Sequence, residues 1–68
     1  MAVLNTIELE GVSETSWGEA AREALREAGR TIRGINRLEV LGTSTSVEGG
    51  HITEYRTQVR LYFTVEGT

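Results

Sequence analysis

The chain has no cysteine, proline, aspartate or lysine, and its only histidine is His51. Without cysteine it forms neither disulfides nor thiolate zinc sites, and a single histidine cannot build a His-rich metal site. The lack of aspartate excludes the EF-hand loop and other aspartate-based motifs. Chains below about 70–80 residues usually need support beyond their own core. By elimination, we expect this chain to associate with copies of itself.

Positive charge is also scarce. Seven arginines face ten glutamates, which gives a net charge of −3 and a pI near 5.0. This balance argues against nucleic-acid partners and anionic membrane surfaces, which attract clustered basic residues. No stretch approaches the ~20 apolar residues of a membrane span, and residues 1–10 lack the features of a signal peptide. We therefore expect one cytoplasmic domain over residues 1–68.

The first segment, residues 2–10, has the alternation of a half-buried strand. Ile7 and Leu9 fall on one side, with glutamates on the other. Gly11 is predicted to end this strand. Residues 11–16 are then expected to form a turn that leads into a helix.

An amphipathic helix follows this turn. The segment Ser16-Trp17-Gly18-Glu19 fits a capping box, and Ser13 is an alternative start. The apolar stripe comprises Trp17, Ala20, Ala21, Ala24, Leu25, Ala28 and Ile32. The opposite face carries the i,i+3 pairs Glu19/Arg22, Glu23/Arg26 and Glu27/Arg30. Gly29 and Gly34 are predicted to weaken and then end the helix.

The remaining residues predict two long strands joined at Gly49-Gly50, because two glycines favour a tight hairpin turn. With this turn, the numbers of opposed residues sum to 99. The predicted pairs are Arg37/Tyr62, Leu38/Leu61, Glu39/Arg60, Val40/Val59 and Thr43/Arg56. On the last strand, one face comprises Tyr55, Thr57, Val59, Leu61, Phe63 and Val65, which we expect to cover the helix stripe.

These elements predict an α+β fold of order β-α-β-β, with one helix on a three-stranded antiparallel sheet. Strands of about 14 residues extend roughly 46 Å, which is more than the helix can cover. Residues 43–54 therefore lack a partner for their faces within the chain. We expect a neighbouring copy to supply one.

Taken together, the elements and their residues resemble the dodecin family over essentially the whole chain. The matching pieces are residues 11–17 at the helix start, Ala20-Ala21 and Ala24, Leu38-Glu39-Val40, Tyr55-Arg56-Thr57-Gln58-Val59 and Phe63. This resemblance implies a hollow homododecamer that stores small ligands, commonly flavins such as FMN and riboflavin, without catalysing a reaction.

Two positions depart from the flavin-binding pattern of the family. Arg37 occupies the position of a tryptophan that stacks on the flavin, and Arg56 that of a glutamine that bonds its polar edge. Arginine has no acceptor and cannot replace an amide that both donates and accepts. The pattern is more similar to a flavin-free, calcium-binding branch with an arginine at the stacking position. Glu14, Glu48 and Glu54 are candidate calcium ligands by charge.

Three functions remain open. The first is a homododecamer that has lost flavin binding and binds calcium or another small ion. The second is a flavin-storing dodecin in which Arg37 stacks on the ring, and the third is a structural shell with an unknown ligand. An enzyme is not expected, since no nucleophile and base occur together. Trp17 is expected to pack the helix start rather than bind ligand, and His51 to be solvated.

Overall fold

The computed structural model describes residues 3–64 and contains four elements in the predicted order. They are β1 (Leu4–Ser13), α1 (Trp17–Ala28), β2 (Ile35–Glu48) and β3 (His51–Thr64). The strands form one antiparallel sheet in the order β1-β3-β2, with α1 on one side. The predicted α+β fold is thus confirmed, while Ala2 and Val65 lie outside the described residues.

The prediction that Gly11 ends the first strand is wrong. β1 continues through Gly11, which pairs with Thr57, and ends at Ser13 opposite Tyr55. Gly11 is buried because α1 crosses directly over it, and a side chain there would overlap the backbone of Ala20. This glycine is needed for close packing of the helix on the strand rather than for a turn.

The helix begins as predicted and ends earlier than predicted. Ser16 is the N-cap, and its hydroxyl oxygen accepts from the amide of Glu19 at 3.0 Å. The helix ends at Ala28, because Gly29 is the C-cap and a tight turn follows. All three predicted ion pairs form, with N–O distances of 3.2 Å in Glu19/Arg22, 2.6 Å in Glu23/Arg26 and 3.4 Å in Glu27/Arg30.

The core lies between α1 and the two strands β1 and β3. Its fully buried and nearly buried residues are Ala20, Ala24, Ala28, Thr57, Val59 and Leu61. The helix contributes only alanines to this set, and their small side chains let its backbone approach the sheet. α1 makes few contacts with β2, so the helix side of β2 is left largely uncovered.

The hairpin follows the predicted register in two stretches but not in the middle. Gly49 and Gly50 form the turn with φ of 59° and 79°. Glu39 pairs with Arg60 as predicted, whereas irregularities at Leu41 and near Thr53 shift the intervening pairs by one residue. Arg56 therefore lies opposite Ser44 and not Thr43. Such bulges insert an unpaired residue that period-2 counting does not reveal.

The hairpin extends well past the other elements. With the hairpin included, the molecule measures 52 Å along its long axis. Beyond the pairing of Ser13 with Tyr55, residues 46–54 continue as a two-stranded arm without β1 beside them. None of the helices in residues 3–64 has the length and hydropathy of a membrane-spanning segment. The arm is the part of the fold that most clearly lacks partners within one chain.

Candidate functional site

The sheet face opposite α1, here called the open face, carries most of the charged side chains of the sheet. Alternation along β3 places Arg56 and Arg60 on this face, because Thr57, Val59 and Leu61 point under the helix. Cross-strand neighbours from β1 and β2 meet these two arginines. The open face is therefore the place where the predicted site residues Arg37 and Arg56 are positioned.

Arg56 joins all three strands. Its Nη1 donates to Glu10 Oε2 on β1 at 2.7 Å, and its Nη2 donates to Glu54 Oε1 at 3.1 Å. Its Nε donates to the Ser46 hydroxyl on β2 at 2.7 Å. The hydrogen bond to Glu10 is the main cause that raises the pKa of Arg56, so the guanidinium stays charged.

A second group of charges surrounds Arg60. Its Nη2 donates to Glu8 Oε2 at 2.8 Å and its Nη1 to Glu39 Oε1 at 3.3 Å. The hydroxyl of Tyr62 donates to the same Glu39 oxygen at 2.7 Å. This hydrogen bond, assisted by the charges of Arg60 and Arg37, lowers the pKa of the Glu39 carboxyl below its ordinary value.

Arg37 lies over an aromatic ring of its own chain. Its guanidinium carbon is 3.8 Å from the centroid of the Tyr62 ring, which is a cation–π contact. The predicted pairing of Arg37 with Tyr62 is confirmed. The guanidinium is thus already in contact with protein on the Tyr62 side.

A single chain does not bring Arg37 and Arg56 together. Arg37 is opposite Tyr62, six positions along β3 from Arg56, which corresponds to about 20 Å. Any site that uses both arginines must combine them across a contact between copies. Within one chain, each arginine is instead engaged by different neighbours.

The three candidate calcium ligands do not form a cluster that could hold a metal ion within one chain. Glu14 is exposed in the turn before α1, and Glu48 is exposed beside the Gly49-Gly50 turn. Glu54 accepts hydrogen bonds from Arg56 and Ser46 and is less available. Within residues 3–64, no group of three or more acidic or histidine residues is positioned to hold a metal ion.

Trp17 packs the helix start onto the sheet, as expected. Its indole N–H donates to the Ser44 carbonyl at 2.9 Å, and its ring meets Tyr55 edge-on at 5.2 Å. Its own carbonyl accepts from the buried Thr57 hydroxyl at 2.8 Å. These contacts attach the helix to both strands of the hairpin just below the arm.

Sequence reasoning named Glu54 as an ion-pair partner for Arg56, although across subunits, and missed the other two partners, Glu10 and Ser46. Glu10 is 46 positions away, and its contact depends on the β1/β3 pairing, for which the sequence offered no register signal. Ser46 reaches Arg56 because of the register shift in the hairpin. The alternation of Glu8 and Glu10 on β1 was the available hint, since it placed two carboxylates on the face that β3 fills with arginines.

Comparison with known proteins gives one consistent family. The family model described as Dodecin matches residues 3–66. No curated protein sequence gives a significant match.

Solved structures agree with this match. A Thermus thermophilus protein covers 100% of both chains, with a TM-score of 0.92 at 28% identity. Dodecin from Streptomyces coelicolor shares the fold, with a TM-score of 0.92 at 24% identity, covering 98% of this chain and 96% of that one. A calcium-chelating antigen of Mycobacterium tuberculosis, named calcium dodecin, gives a TM-score of 0.84 at 29% identity, with 98% and 96% covered.

Proposed function

Because the chain belongs to the dodecin family, we propose that it is a cytoplasmic, non-catalytic homododecamer that binds a small ion, with calcium the first candidate, and that it has lost flavin binding. The single observation that carries this proposal is that both arginines are engaged within their own chain. Arg37 contacts the Tyr62 ring, and Arg56 donates hydrogen bonds to Glu10, Glu54 and Ser46.

The chemistry of the two arginines supports the loss of flavin. A flavin needs an aromatic or planar surface for its ring and a partner that both donates and accepts at its polar edge. Arg56 offers only donors, and three of its N–H groups already bond Glu10, Glu54 and Ser46. The guanidinium of Arg37 is already engaged by the Tyr62 ring. The residues present therefore do not fit a flavin in the manner the family implies.

Flavin titration tests this part of the proposal. We expect the purified protein to show no absorbance near 450 nm and to leave the fluorescence of added FMN and riboflavin unquenched. Quenching at micromolar flavin would contradict the proposal and favour the alternative in which Arg37 stacks on the ring. That alternative is motivated by Arg37 itself, whose guanidinium is planar and which is exposed on the open face.

Calcium binding requires several copies in this proposal. Calcium takes six to eight oxygen ligands, and residues 3–64 of one chain gather no group of three acidic or histidine residues. A symmetry axis that brings one glutamate from each copy to the same point satisfies this need with a single residue type. Glu14 and Glu48 suit this role better than Glu54, because Glu54 is paired with Arg56.

Calorimetry with the assembled protein tests the calcium proposal. We expect heat of binding on titration with calcium, with its loss in either Glu14→Gln or Glu48→Gln. Glu27→Gln is a matched control, since Glu27 is an exposed glutamate that pairs with Arg30 on the helix. The absence of both heat and a change in thermal stability in the unaltered protein would remove calcium and leave a structural shell as the remaining function.

A further inference from the structure

An uncovered apolar groove runs between α1 and β2. The helix rests on β1 and β3, so Leu25 on its flank and Ile35 and Leu38 on β2 border a cavity of about 270 Å³, which Asn36 and Arg37 also line. Leu25 is 39% exposed although it belongs to the apolar stripe of the helix. This surface, called the groove below and defined by Leu25, Ile35 and Leu38, has no covering element among residues 3–64.

The far end of the hairpin carries an apolar pair that is also uncovered. Val47 and Ile52 lie opposite each other next to the turn and are 63% and 58% exposed. They point to the same side of the ribbon because directly opposed residues share a face. A two-stranded ribbon with such a pair in water is marginally stable by itself. These two residues define the tip.

The groove and the tip cannot meet within one molecule. Both lie on β2, with Ile35 at its start and Val47 near its end, about 40 Å apart along an extended strand. The chain measures 52 Å along its long axis, which accommodates this separation between the groove and the tip. A tip that reaches this groove therefore belongs to another molecule.

We propose that the tip of one copy packs into the groove of the next copy, with Val47 and Ile52 covering Leu25, Ile35 and Leu38. Charge is complementary, because Glu48 lies beside the tip while the exposed Arg33 precedes the β2 start that borders the groove. In this contact Glu48 pairs with Arg33, so Glu14 is the calcium candidate that remains compatible with it. The contact is head-to-tail, so it closes into rings when the rotation allows. It rests on the proposed self-assembly and specifies which two surfaces build it.

Two charge substitutions and a control test this contact. Ile52→Glu at the tip and Leu25→Arg at the groove each place a charge in an apolar interface, and we expect each to raise the dissociation constant of assembly at least ~100-fold. Val3→Glu is the control, because Val3 is apolar, is 73% exposed and lies outside the groove and the tip. This variant should assemble like the unaltered chain. Native mass spectrometry gives the assembly state, and circular dichroism checks that the separated chains keep their fold.

The double variant Ile52→Glu with Leu25→Arg distinguishes this contact from others. In a head-to-tail contact, the introduced carboxylate meets the introduced guanidinium of the next copy, so assembly should return in part. Two results would overturn this contact and leave self-assembly standing. One is normal assembly of both single variants, and the other is assembly that is lost in Ile52→Glu but unchanged in Leu25→Arg. A monomeric unaltered chain would instead overturn the self-assembly on which the contact rests.

Discussion

Gly11 of β1 lies directly under Ala20 of α1, so closely that a Cβ at position 11 would overlap the Ala20 carbonyl. The neighbouring obstacle is helix backbone, which cannot rotate away as a side chain can. The position of the helix over β1 and β3 depends on this contact, and so does the uncovered helix side of β2.

We therefore expect Gly11→Ala to destabilise the chain by about 3 kcal/mol or more, at the upper end of overpacking costs. Gly18→Ala is the control, because Gly18 lies in the first turn of α1 and its nearest non-local neighbour is the flexible Arg22 side chain. It should gain about 0.5–1 kcal/mol from helix propensity. Urea unfolding at one protein concentration measures both. Similar stabilities of the two variants would contradict the close approach.

Flavin binding should return in part when the two arginines are replaced. Arg37→Trp with Arg56→Gln supplies a stacking ring and an amide, and it also removes the contacts to Tyr62 and Glu10. We expect quenching of FMN fluorescence in this double variant. Arg22→Trp, which adds a tryptophan on the exposed side of α1 and away from the open face, should give none. No quenching in the double variant would mean that other features of the flavin site have also diverged.

The Glu39 carboxyl links stability to pH. Its pKa is below the ordinary value of 4.5, mainly because Tyr62 donates to it. A lowered folded-state pKa stabilises the fold above the unfolded pKa, and this contribution is lost as pH falls through the folded value. Tyr62→Phe removes the main cause. We expect the fall in urea midpoint between pH 5 and 3 to be smaller in Tyr62→Phe than in the unaltered chain, and an unchanged fall would contradict the role of Tyr62.

Local patterns predicted the elements, because capping, helix periodicity and the Gly49-Gly50 turn each depend on neighbouring residues. Ser16 was identified as the N-cap for this reason. The continuation of β1 through Gly11 was not predicted, since glycine there serves a contact with a residue nine positions away across the fold. A glycine that permits close packing and a glycine that ends a strand look alike in sequence.

The sequence predicted where the candidate site residues lie on the strands better than it predicted which residues they contact. Arg37 opposite Tyr62 followed from counting back from the turn, and the count held because it restarts in register after the bulge at Leu41. The predicted cross-strand neighbour of Arg56 was wrong by one residue. Its partner Glu10 belongs to β1, a strand whose register no turn defines. Long-range pairing therefore set the limit of the sequence analysis.

Two threonines lie opposite each other in the hairpin, Thr43 on β2 and Thr57 on β3. Thr57 is buried and donates its hydroxyl to the Trp17 carbonyl at the helix start, whereas Thr43 is exposed. Thr57→Val keeps the shape but removes the donor, so we expect a loss of about 1 kcal/mol in the free energy of unfolding.

Thr43→Val provides the matched control, and it should be neutral or slightly stabilising because valine favours strands. Trp17, the only tryptophan, reports unfolding by fluorescence. Equal stability of the two variants would show that the Thr57 bond does not secure the helix start, and the contacts of the Trp17 ring with Ser44 and Tyr55 would then have to hold it alone.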